Sequence, residues 1–169
     1  MGHLQRAAER LDTLNRGVGL AVRWLVLGML GVQFGAVVLR YVFGVSSIAL
    51  DESVLYFHAA LFMLGAGYTL LVDAHVRIDI LHARLSERTR AGVEAFGHLV
   101  LLMPFLLALL WWSWPTVRRS WAIWEGPLSV GGLPLVWLMK ALIPAFCVLL
   151  LVQSLAGLLR ALARLSERP

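Results

Sequence analysis

The sequence is poor in cysteine, in charge and in the signatures of catalysis. Its one cysteine, Cys147, lies inside an apolar run, so no intramolecular disulfide can form and a disulfide-stapled secreted scaffold is excluded. Charged residues make up 15% of the 169 and hydrophobic residues 60%, with a mean hydropathy of +0.79. A water-soluble domain of this size would be a rare outlier at those values. No Walker sequence, Gly-rich phosphate loop, G-x-S-x-G elbow, H-E-x-x-H or C-x-x-C occurs, and no internal repeat or low-complexity tract is present. Nothing in the residue pattern argues for an enzyme or for a bound cofactor. The formal net charge of +5 would be compatible with nucleic acid, but the basic residues fall in short clusters between apolar segments rather than on one face. They read as topology signals of a membrane protein.

What the chain does have is four uncharged stretches, over 24–39, 53–72, 95–117 and 141–159. About 20 apolar residues in a helix, at 1.5 Å each, cross a hydrocarbon core of roughly 30 Å, so each stretch is a candidate span. The first gains length from Arg23 and Arg40, whose stems can lie along lipid with the charge at the interface. The fourth extends upstream past Lys140 towards Pro134. The expected architecture is therefore all-α, with a four-helix membrane domain over 18–160 and spans at about 18–43, 48–72, 92–117 and 134–160. A segment over 1–17 precedes it and a tail over 161–169 follows. Barrel strands are excluded because the runs are too long and do not alternate. No A-x-A-like site follows the first apolar segment, so a retained helix is expected rather than a removed signal peptide.

Basic residues fix the expected orientation. Arg6, Arg10, Arg16 and Arg23 precede the first span, Arg77, Arg84, Arg88 and Arg90 lie between the second and third, and Arg160, Arg164 and Arg168 follow the fourth. The other side carries only Arg40, Arg118, Arg119 and Lys140. The positive-inside rule then places both termini and the middle loop in the cytoplasm. Trp111, Trp112, Trp114, Trp121, Trp124 and Trp137 gather at the outer ends of the third and fourth spans. They read as an aromatic belt, with a ligand-stacking platform as the alternative. Before the first span, Leu4, Ala7, Ala8, Leu11 and Leu14 recur at helical spacing among charged residues. This is the pattern of an amphipathic helix on the membrane surface, or of a solvated tail.

Polar residues inside spans are costly and are candidates for function by default. They are Gln33, His58, His98, Lys140 and Gln153, with Asp51 and Glu52 at the start of the second span. The glutamines suit hydrogen bonds to neighbouring helices. His58 and His98 invite comparison with a bis-His haem anchor, but helix rise puts them at depths differing by roughly 15 Å, too far for one iron. His75 and His82, with Asp79 between them, could share a helix face as metal ligands, although 76–80 alternates like a strand. Ser46 and Ser47 are good caps for the second span, and carboxylates in its first turn suit the helix dipole. Lys140 lies at a depth suited to pairing with Glu52 or a partner's carboxylate, or to snorkelling. Gly31 and Gly35 form a G-x-x-x-G pair and Gly65 and Gly67 a second small-residue patch, either of which can admit another backbone, from this chain or from a partner subunit.

Arg40-Tyr41-Val42-Phe43-Gly44, then Ser46-Ser47-Ile48-Ala49-Leu50-Asp51-Glu52, and after the second span His75-Val76-Arg77-Ile78-Asp79, together resemble the DctQ-like small membrane subunit of tripartite ATP-independent periplasmic (TRAP) transporters. Ser120-Trp121, Glu125, Gly132-Leu133-Pro134 and Lys140 also resemble that family's second periplasmic loop and fourth helix. The adjacent acids Asp51 and Glu52 depart from the single acid of the family pattern, so either can be the counterpart. The resemblance implies a small permease subunit that braces a large membrane permease, which moves an organic acid anion delivered by a periplasmic substrate-binding protein and driven by sodium. It also implies that Arg40, Asp51, Glu52, His75, Arg77, Asp79, Arg118, Arg119, Glu125 and Lys140 serve structure or partner contacts rather than substrate. The competing classes are a haem- or quinone-linked anchor of an oxidoreductase and a stand-alone small transporter. The second would need an embedded carboxylate or a broken helix around an ion site, and the spans contain no such carboxylate.

Overall fold

The computed structural model describes residues 3–74, 85–127 and 129–166. Among them every regular element is helical: α1 (His3–Val22), α2 (Leu25–Val42), α3 (Ile48–Leu71), α4 (Glu87–Phe96), α5 (Met103–Ala122) and α6 (Val136–Ser166). A π-helical turn over Gly97–Leu102 joins α4 and α5 into one 36-residue rod. With α1 and α2 taken together, four helical runs are long and apolar enough to cross a membrane.

Local chemistry sets the boundaries. At the end of α2, Gly44 takes a left-handed φ of +70°, which lets the Val45 N–H turn back to the Leu39 carbonyl and stops the helix. Ser47 then caps α3, its hydroxyl facing the Leu50 N–H, and Asp51 occupies the first turn, where the dipole favours a carboxylate. Ser86 caps α4 in the same way by accepting from the Thr89 N–H at 3.2 Å. The π-helical turn lies just before Pro104, which has no N–H and whose ring would strike the carbonyl four residues back in a regular helix. The backbone widens instead, and the Met103 N–H reaches the His98 carbonyl five residues back.

The core is organised around α6, which packs against α1, α3, α4 and α5. Cys147, Ala156 and Ala161 on α6 are wholly buried, and Leu106, Cys147 and Leu150 form the centre of the apolar cluster. Small residues along α6 let its neighbours approach closely, the usual basis of helix association in lipid. By contrast α2 packs chiefly on α3 and makes no substantial contact with α5 or α6. It forms the edge of the bundle.

The N-terminal helix does more than lie on a surface. It continues to Val22, and the chain then turns at Arg23 and Trp24 into α2. Asn15 meets Gly67, Gly19 meets Tyr68 and Val22 lies nearest Gly65, so the eight residues 15–22 of α1 stay opposite one short stretch of α3. The helix therefore crosses α3 steeply, at one end of the bundle. Its buried face carries Ala8, Asn15 and Gly19, while Leu4 and Leu14 of the apolar stripe remain exposed. One face is thus given to the bundle and a neighbouring one is left for lipid.

Candidate functional site: polar clamps at the two ends of the bundle

At the end away from the termini, three interactions hold the connecting loops. Arg40, in the last turn of α2, donates to Asp51 in the first turn of α3 at 2.6 Å. Both side chains are about half exposed, so the pair contributes about 0–1 kcal/mol and works mainly as a latch across the short 43–47 connection. Glu52 turns the other way and accepts a hydrogen bond from the Leu133 N–H at 2.7 Å. A Cβ at Gly132 would lie 2.6 Å from both carboxylate oxygens of Glu52, so glycine is required for this approach. The adjacent acids thus have separate roles: Asp51 joins α2 to α3, and Glu52 ties α3 to the loop before α6.

Lys140 pairs with Glu125 at 2.5 Å, and not with Glu52. The loop after α5 folds back over the first turns of α6 and brings Glu125 to the ammonium, while Glu52 is already engaged with Leu133. The Lys140 hydrogen bond holds the Glu125 carboxyl below its ordinary pKa. Trp121, Trp124 and Trp137 pack beside this pair, with Trp137 edge-on to each of the others at 4.9 Å between ring centroids. Trp124 takes a left-handed φ of +49°, an uncommon conformation for an aromatic residue, and the backbone reverses there. Trp111 and Trp112 are exposed on α5. Arg118 and Arg119 are exposed in the last turns of α5, with no ion-pair partner among the described residues.

The second clamp lies at the end that carries the termini. Asn15 is wholly buried, and its Nδ2 donates to the Leu149 carbonyl at 3.1 Å and to Gln153 Oε1 at 3.0 Å. Gln153 Nε2 in turn donates to Asp12 at 2.9 Å, and Arg160 closes the chain on the other Asp12 oxygen at 2.6 Å. Space for Asn15 is made by Gly67, where a Cβ would clash with the Asn15 amide. Beside this network His98 Nδ1 lies 3.1 Å from Ser154 Oγ, with its ring against Gly157, and Arg164 donates to Glu94 at 3.0 Å. A polar cavity of about 230 Å³ is lined by Asp73, Glu94, His98, Gln153, Arg160 and Arg164 together with Leu70, Leu71 and Gly157. Its guanidinium groups are matched to carboxylates, so it is a charge-compensated joint between helices.

Of the residues singled out from sequence, Arg40, Asp51, Glu52, Glu125 and Lys140 gather at one end, whereas His75, Arg77 and Asp79, like His82, lie outside the described residues. Gln153 does hydrogen-bond across helices. Gln33 is exposed on α2 with no partner among the described residues. His58 is exposed on α3 and stacks on Phe62, whereas His98 faces α6. Among the four glycines, Gly67 packs against Asn15 and Gly65 borders Val22, while a Cβ at Gly31 or Gly35 would meet open space. Sequence reasoning passed over Asp12 and Asn15. Their one signal was a wholly polar pair set among the apolar positions of an amphipathic helix.

Four long apolar helices, cross-linked by polar clamps at both ends, define a multi-pass membrane protein of the helix-bundle class. The family model described as tripartite ATP-independent periplasmic transporters, DctQ component, matches residues 29–164, and the chain belongs to that family. It is thus a small subunit of a TRAP transporter, a transport component and not a member of an enzyme family. No curated protein and no solved structure matches it.

Proposed function

We propose that this subunit is a fixed brace in a bacterial inner membrane: it holds a large permease subunit that takes up an organic acid anion with sodium, after delivery by a periplasmic binding protein. Family membership is the observation that carries this reading. Two features support it. The buried amides of Asn15 and Gln153 and the partly buried Asp12 and Arg160 are linked in one hydrogen-bonded chain, as suits a rigid support. The outward arc of α2, with Leu27, Leu30 and Phe34 exposed, is flanked by Gly31 and Gly35 on one side and by Gln33 on the other. An amide halfway along a span and bare glycines are what an incoming helix would use. In this reading Arg118 and Arg119 face acidic groups of the binding protein, and both termini are cytoplasmic.

The test is uptake into proteoliposomes. The subunit alone should give no sodium-driven accumulation of organic acid. Accumulation should appear when the large subunit and the loaded binding protein are supplied together. Uptake by this chain alone would overturn the brace and restore a stand-alone transporter.

A further inference from the structure

A groove of about 600 Å³ opens where α1 ends and α2 begins, against α3 and α6. Its walls are almost wholly apolar, formed by Val22, Leu61, Phe62, Ala66, Phe146 and Leu150, and the exposed Arg23 borders it. The Arg23 guanidinium lies 5.3 Å from the ring centroid of Trp24 and has no carboxylate within ion-pair distance among the described residues. This sets it apart from Arg40, Lys140, Arg160 and Arg164, each of which is paired.

Position adds to the argument. The 18 residues of α2 span about 27 Å by helix rise, close to the thickness of the hydrocarbon core, so Arg23 stands at one boundary of that core. Helix α1 crosses α3 at the same level. From there the groove follows α3 from Thr69 to Leu61, about 12 Å by helix rise, towards the bilayer centre. At Gly65 a Cβ would meet only Val22, at 3.9 Å, so the missing side chain keeps the groove open.

We propose that this groove is a binding site for an anionic phospholipid, with one acyl chain along α3 and the phosphate on Arg23. The occupant follows from charge complementarity: an unpaired cation at the headgroup level above an apolar trough attracts an anion that carries a hydrocarbon tail. No carboxylate stands beside Arg23 to receive the ammonium of a zwitterionic headgroup. The site is independent of the transport role, and its failure would leave the subunit reading untouched.

Native mass spectrometry of the purified full chain in detergent, titrated with phosphatidylglycerol or phosphatidylcholine, tests it. Phosphatidylglycerol should be retained preferentially. Arg23→Gln should reduce that preference about fivefold, and Arg88→Gln, at an exposed cation on α4 away from the groove, should leave it unchanged. Gly65→Leu should weaken both lipids, with circular dichroism reporting that the helices persist. In native membranes a photoreactive group at Phe62 should capture lipid whether or not the Gly65 variant folds. Equal preference in wild type and Arg23→Gln would overturn the site, and so would capture of a protein chain at Phe62.

Discussion

Asp51 and Glu52 are neighbours in sequence but do different work, because successive helical residues point about 100° apart and reach different partners. Lys140 shows the same dependence on what lies near in space. It is served by Glu125, fifteen residues earlier, through a loop that folds back on α6. This pair gives a pH prediction. The Glu125 carboxyl is held below its ordinary value by Lys140, so the stabilisation it brings is present above the ordinary carboxylate range and is lost as pH falls through the lowered value. The melting temperature of the wild type in detergent should therefore exceed that of Glu125→Gln at neutral pH, and the gap should close as the solution is acidified below about pH 4. Lys140→Met combined with Glu125→Gln should cost less than the two single losses added together, since neither variant group then remains to be paired. A gap that does not change with pH would show that the pair contributes packing alone.

At the scale of elements, α1 is fastened by a buried amide and α2 is left bare along one flank. Gly67 measures the first arrangement and Gly31 the second. Gly67→Ala should destabilise the isolated subunit by about 1–3 kcal/mol, because its Cβ would enter the space of the Asn15 amide within a packed joint. Gly31→Ala should be neutral or slightly stabilising, since its Cβ meets open space and alanine is the better helix former. Thermal unfolding of the two variants side by side is the measurement, and equal effects would contradict the packing described here. The four apolar runs were legible in the sequence because lipid demands continuous hydropathy along a helix. The cap at Ser47 was legible because its chemistry is local. The burial of Asn15 was not: it falls among the apolar positions of α1, but a single amide there does not say what it faces, and only the crossing of α1 over Gly67 encloses it. The exchange of Glu52 for Glu125 as the partner of Lys140 was equally hidden, since depth along a helix does not reveal how the 123–135 connection folds.

For the whole molecule, the proposed orientation and the proposed partner face can be tested in one set of preparations. Cys147 is wholly buried, so single cysteines introduced at the surface can be labelled against a silent native thiol. With both termini cytoplasmic, Ser46→Cys and Gly131→Cys should react with an impermeant maleimide in intact spheroplasts, while Arg84→Cys should react only after lysis. The reverse pattern would invert the topology. The partner face follows from how unevenly the bundle is covered. Helix α6 packs against α1, α3, α4 and α5, whereas among the described residues α2 packs on α3 with a short contact on α1, and it carries an exposed amide at mid-span. Hydrocarbon offers that amide no hydrogen bond, so a lipid-facing Gln33 is disfavoured and a helix that meets it gains about 1 kcal/mol. Gln33→Leu should therefore weaken retention of the large subunit on an affinity-tagged copy of this chain by roughly fivefold. Gly31→Leu with Gly35→Leu should weaken it further by keeping the backbones apart, while leaving the melting temperature of the isolated subunit unchanged. Undiminished retention in the triple variant would move the contact to another face. The exposed aromatic surface of α5 around Trp111 and Trp112 would then be the next to substitute.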